Sequence, residues 1–240
     1  MERLSGGNVH DVYTDSGNII KVRHTGSPTG LENMHTLASD ILYESLAIKD
    51  AHSIMPENFP DIVDDSDADN GVIVMTRLFP EGSMTLKELT GKVELSRSVI
   101  ESLANVVGSF HNQADAHLDR SGYRGHEYFN ELLQYRYGLF NLPEMDMLVQ
   151  ELLGDTKQRG ILHGGLSPKN ILISRALNGE MQSRDIGLVD LETSCIGSRY
   201  FDIGFCMGHL MLHGIDQGKS EDDIRESFIS SYIKAAKTDS

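Results

Sequence analysis

Two short apolar runs, each joined to a polar segment, constrain the fold of this chain more than any other feature. Leu162-His163-Gly164-Gly165-Leu166-Ser167-Pro168-Lys169-Asn170 has the glycines and proline of a loop, and it runs straight into Ile171-Leu172-Ile173. Ile186-Gly187-Leu188-Val189 is a second apolar run, ending at Asp190-Leu191-Glu192. Asn178-Gly179 between them is a strong hairpin dipeptide, because both residue types tolerate positive φ. An antiparallel hairpin sets the start of one strand beside the end of the other. Asn170 and Asp190 are therefore expected as neighbours at one edge. An amide oxygen beside a carboxylate is a pair of hard oxygen ligands, suited to Mg2+ carrying a nucleotide phosphate.

The rest of the chain divides by period. Up to about residue 79, Val9 to Thr14 and Ile19 to Arg23 read as strands around the turn Asp15-Ser16-Gly17-Asn18. Leu31 to Asp50 reads as a helix with Leu42, Leu46 and Ile48 among its apolar positions, and Phe59 to Val63 and Val72 to Leu78 as a further strand pair. Beyond Pro80 and Gly82 the spacing turns helical. Val99, Ile100, Leu103, Val106, Val107 and Phe110 recur at three and four residues, and Ser98 with Glu101 suits a capping box at the start of that helix. Further helices are expected over Tyr128 to Phe140, Glu144 to Gln158, Phe201 to His213 and Asp222 to Lys237. A β-rich front and an α-rich back predict an α+β protein of two lobes, residues 1–79 and 80–240.

The loop His163-Gly164-Gly165-Leu166-Ser167-Pro168-Lys169-Asn170, with the hairpin to Asp190, resembles the aminoglycoside phosphotransferase and choline kinase family, which has a protein-kinase-like fold and a loop of the form H-G-D-x-x-x-x-N. Gly197-Ser198-Arg199-Tyr200-Phe201-Asp202-Ile203 resembles the segment that sets a buried aspartate beneath that loop, and Leu103 to His111 the helix ending in Leu/Phe-His. The resemblance implies ATP with Mg2+ as cofactors, Asn170 and Asp190 as metal ligands, and His163 and Asp202 as structural supports. It is looser in front. There it implies a nucleotide-covering hairpin at Ser5-Gly6-Gly7-Asn8-Val9, a phosphate-binding Lys21 with Glu44 as ion-pair partner, and a hinge at Met75-Thr76-Arg77-Leu78 whose backbone receives adenine. The implied reaction is transfer of the γ-phosphoryl group to a hydroxyl of a small molecule, an aminoglycoside or another amino or sugar alcohol.

One position departs from the pattern. The family's catalytic aspartate falls at Gly165, which has no side chain. A positioned general base is worth about 10²–10⁴ in rate, but phosphoryl transfer also rests on positioning and charge. Ser167 is a poor base, Lys169 is ordinarily protonated, and Glu192 is the one nearby carboxylate that offers a substitute. Three accounts fit: a pseudokinase that binds nucleotide or a partner without turnover, an altered form of an active enzyme one base change away, or an enzyme using another base.

Composition narrows the partners. With 36 acidic against 21 basic residues the formal charge is −15, which argues against nucleic acid or an anionic membrane as partner and suits either a cationic substrate or simply an acidic surface. Cys195 and Cys206 give neither a disulfide framework nor a zinc spacing. The N-terminus has no apolar signal region and no run is long enough to span a bilayer, so a cytoplasmic protein is expected. The aromatic stretch from Tyr123 to Phe140 is expected to pack a core rather than to stack on substrate.

Overall fold

The computed structural model describes residues 1–6, 10–23, 41–65, 67–90, 95–174 and 180–237. Strands β1 (Glu2–Gly6), β2 (His10–Asp15) and β3 (Asn18–Arg23) precede helix α1 (Ile41–Ile54), and β4 (Ile62–Asp64) and β5 (Val72–Thr76) follow it. These strands make one antiparallel sheet in the order β1-β2-β3-β5-β4. Ser16 and Gly17 join β2 to β3 with φ of 51° and 88°, the left-handed turn whose twist matches the strands it connects. Lys21 stands opposite Ile73 in the ladder, and directly opposed residues share a face. The lysine is thus carried onto the buried face of the sheet.

The back of the molecule begins with β6 (Met84–Thr85) and α2 (Leu86–Thr90), followed by α3 (Arg97–His117), α4 (His126–Tyr137) and α5 (Pro143–Gly154). Then come β7 (Arg159–Leu162), β8 (Ile171–Ile173), β9 (Ile186–Leu188), β10 (Cys195–Ser198), α6 (Arg199–Asp216) and α7 (Glu221–Ala236). Strands β6, β8 and β9 form one small sheet, and β7 pairs with β10. Helix α3 buries the apolar stripe that its spacing predicts and crosses α7 closely at Gly108. A β-carbon there would stand 2.7 Å from the Tyr232 carbonyl oxygen. The class is α+β, with a sheet-bearing front and a helical back, as expected.

Several local expectations are corrected. The cap of α3 is Ser96, whose hydroxyl accepts the Val99 N–H, while Ser98 lies inside the helix and Glu101 pairs with Arg97. Of the apolar positions noted on α1, Ile48 is buried but Leu42 and Leu46 face outward, and Ile41, Glu44, Ser45, Ala47 and Ala51 complete the buried face. Helix α5 ends at Gly154 rather than Gln158, because Asp155 turns back to accept the N–H groups of Lys157 and Gln158. Of the aromatic stretch, Phe129 is core but Phe140 is exposed. Gly7-Asn8-Val9, the first turns of the helix expected from Leu31, and Asn178-Gly179 lie outside the described residues.

Candidate active site

Three elements converge on one ammonium group. Lys21 on β3 places Nζ 2.8 Å from both carboxylate oxygens of Glu44 on α1, and 2.6 Å from Oδ1 of Asp190 beyond β9. Glu192 adds a fourth contact at 3.5 Å and also meets His10 Nδ1 at 3.1 Å. Burial opposes charge on Lys21, but Asp190, Glu44 and Glu192 outweigh it and hold the ammonium above the ordinary lysine value. Burial likewise works against the Asp190 carboxylate, and contact with Lys21 reverses it, holding Asp190 well below the usual range. Glu44 goes the other way, pushed up to about 7 by burial, with Asp190 and Glu192 adding to the effect against the pull of Lys21. One ammonium cannot balance three carboxylates, and the cluster is short of positive charge.

Asp190 and Asn170 are neighbours, as the hairpin requires. Ile171 pairs with Leu188, and the Val189 N–H donates to the Asn170 carbonyl at 3.0 Å. Asp190 has φ of 71°, a left-handed conformation that is uncommon outside glycine and recurs where a side chain must be aimed. The Asn170 amide N–H donates to the Gly165 carbonyl at 2.9 Å, so its oxygen is the atom it can offer a cation.

The loop between β7 and β8 is held from beneath. Asp202 on α6, fully buried, accepts the N–H groups of His163 at 2.8 Å and Gly164 at 3.0 Å, and meets His111 Nε2 at 3.2 Å. His111 Nδ1 in turn meets the Tyr232 hydroxyl at 2.9 Å, which ties the loop support to α3 and α7. His163 is entirely buried and its Nδ1 accepts the Gly165 N–H, while burial pushes its pKa down and keeps the ring neutral. Both residues therefore brace the loop. Replacing Asp202 by alanine strands two buried N–H groups and a buried histidine. The expected loss is about 3–5 kcal/mol of stability, read from urea unfolding, with asparagine costing less.

The two loop glycines differ. Gly164 has φ of 78°, and a β-carbon there would lie 2.1 Å from the Thr193 carbonyl oxygen, so only glycine fits. Gly165 has no such constraint. Its β-carbon would meet the Thr193 hydroxyl at 3.1 Å, Asn170 Nδ2 at 3.5 Å and His163 Nδ1 at 3.8 Å, all side-chain atoms.

The model of the phosphotransferase enzyme family matches residues 3–232. This chain belongs to that family. No curated protein matches it in sequence. Solved structures resemble this phosphotransferase family member in fold. Amicoumacin kinase hAmiN, solved with AMP-PNP, Ca2+ and Ami, superposes with a TM-score of 0.61 at 15% identity, over 99% of this chain and 73% of its own. A choline/ethanolamine kinase family protein from Mesorhizobium loti gives 0.56 at 13% identity, over 97% and 69%. The aminoglycoside phosphotransferase APH(3'')-Id from Streptomyces rimosus gives 0.53 at 14% identity, over 94% and 87%. The two-lobed protein-kinase-like fold follows from these likenesses.

In this family member the segment expected as a hinge, Met75-Thr76-Arg77-Leu78, begins inside the front sheet. Met75 lies inside β5 between Ile19 and Ile62, with its side chain in the core, so backbone outside the sheet starts at Arg77. Arg77 donates to the Thr14 hydroxyl at 2.9 Å. Leu78 and Phe79 pack onto β9 where Gly187 leaves room, since a β-carbon there would stand 2.3 Å from Leu78 Cδ2. Glu192, considered as a replacement base, is turned to Lys21 and His10. Sequence reasoning missed His10 and Thr193. The β2–β3 ladder could have found His10, since it lies two residues from Val12, the partner of Lys21. Thr193 has no local signature. Among the described residues no helix is long and apolar enough to cross a membrane.

Proposed function

We propose that this chain takes a nucleoside triphosphate with Mg2+ into the cleft between its lobes, divided near residue 79, and passes the γ-phosphoryl group to a hydroxyl of a small molecule. The observation that carries this reading is Lys21, shared between Glu44 and Asp190 from opposite sides of the cleft. Family membership supports the reaction class, and relatives in fold hold nucleotides: AMP-PNP in amicoumacin kinase and AMP in LicA.

The donor set fits a hard divalent ion. Asn170 has its oxygen available, Asp190 stays ionised, and the surrounding carboxylates outnumber the ammonium. Mg2+ bound there would neutralise charge on the transferring phosphate. Lys21 would bind phosphate oxygens while Glu44 keeps its ammonium in place, and the backbone from Arg77 to Phe79 would receive the base. His163 and Asp202 keep the loop rigid. The acceptor is an amino or sugar alcohol, with the formal charge of −15 favouring a cationic one.

Gly165 stands where the family resemblance places the aspartate that receives the hydroxyl, so turnover is slow. The same glycine favours a second reading, in which the chain binds nucleotide and reports it to a partner without turnover. Titration calorimetry of ATP, with and without Mg2+, tests the shared premise. Metal-dependent binding that is lost in Asp190→Ala is expected, and no heat at millimolar ATP would overturn both readings.

A further inference from the structure

Helix α1 carries three side chains along one stripe, Tyr43, Leu46 and Asp50, spaced by three and four residues. None enters the core. Residues 122–124, between α3 and α4, lie along this stripe instead. Leu46 comes so near Gly122 that a β-carbon there would stand 3.2 Å from its Cδ2. The Tyr123 hydroxyl hydrogen-bonds the Asp50 carboxylate. The Arg124 guanidinium lies 4.4 Å over the ring of Tyr43.

The other side of the same segment holds the region beyond β9. The Arg124 guanidinium also lies 4.4 Å over the Tyr128 ring of α4, and donates through Nη1 to the Glu192 carbonyl at 2.9 Å. Its own carbonyl accepts the Ile196 N–H at 2.8 Å. Three consecutive residues therefore grip both the helix that bears Glu44 and the turn that bears Asp190 and Glu192.

We infer that residues 122–124 are a strap holding α1 in register with the Asp190–Glu192 turn, and that Arg124 is the positioning residue for the Lys21–Glu44–Asp190 cluster. A guanidinium suits the task because its plane stacks on two rings while its edge donates in plane. The point charge of a lysine does not reproduce that combination. The strap fixes Glu44 before any ligand arrives. When phosphate draws Lys21 from Asp190, the strap is what keeps Glu44 beside it. The second consequence rests on the nucleotide reading above; the strap itself does not.

Hydrogen exchange of the full chain without ligand separates the two. In Arg124→Ala and in Tyr43→Leu, which reaches the clamp from the α1 side, amides of α1 should exchange about tenfold faster while those of α3 hold. Arg124→Lys should give a smaller change in the same direction, and Tyr43→Phe, which keeps the ring, none. Unchanged exchange in α1, or an equal rise in α1 and α3, overturns the strap. The same variants are then titrated with MgATP. Binding about tenfold weaker in Arg124→Ala supports the positioning role, and equal binding with a loosened α1 overturns it. If the unaltered chain takes no MgATP, the nucleotide reading and the positioning role fail together, while the exchange data still decide the strap.

Discussion

Gly165→Asp is expected to raise phosphoryl transfer by about 10²–10⁴-fold, the usual worth of a positioned general base. The backbone permits the change, since Gly165 is not held in the left-handed region and the atoms around a new β-carbon are the ends of side chains. Thr193 must yield by a few tenths of an ångström. Its hydroxyl and the Asn170 amide then face the new carboxylate as donors, which would orient it. Gly164→Asp is the matched control, and its β-carbon would strike the Thr193 carbonyl, so that variant should not fold. The measurement is ADP release over a panel of amino and sugar alcohols, with thermal melting to show that the Gly165 variant is intact. A variant that binds MgATP and stays silent across the panel would leave the non-catalytic reading standing.

How far the sequence carried this site depends on the range of the forces that build it. The hairpin that joins Asn170 to Asp190 was legible because two apolar runs and their polar ends are local facts, and the Val189–Asn170 hydrogen bond is their direct result. The brace under the loop was legible only through family resemblance, since nothing local says that Asp202 will meet the N–H groups of residues 39 and 38 positions away. The buried face of α1 is only partly legible, for a physical reason. Hydropathy favours Leu42 and Leu46 as the core positions, yet the helix turns Glu44 inward because a buried lysine and a buried carboxylate satisfy each other. The cap of α3 was misread by one short step, because the spacing of Ser98 and Glu101 imitates a capping box while Ser96 holds the extended conformation that a cap needs. Arg124 had no signature at all. Its partners come from α1, α4 and the segment after β9, and only the assembled chain brings them together.

Removing the charge of Lys21 is the most damaging single change expected in the front lobe. Lys21→Met keeps the length of the side chain but leaves Glu44, almost fully buried, facing Asp190 and Glu192 without a counter-ion. Breaking a buried pair in this way costs about 3–5 kcal/mol. The loss should depend on pH in a definite sense. With the ammonium gone, burial and mutual repulsion hold the folded-state pKa of the carboxylates above the unfolded value of about 4. Groups raised in that way favour the fold below the unfolded pKa and cease to do so as pH rises through the folded one. The variant should therefore lie close to the unaltered chain near about pH 5 and fall further behind toward about pH 8. Urea unfolding at the two pH values reads this directly, and a deficit independent of pH would mean that the cluster does not carry the charge assigned to it. MgATP binding should disappear in the same variant at either pH, because no other described cation takes the place of Lys21 between Glu44 and Asp190. Restored folding at low pH without restored nucleotide binding would separate the two duties of this lysine, one to the fold and one to the phosphate.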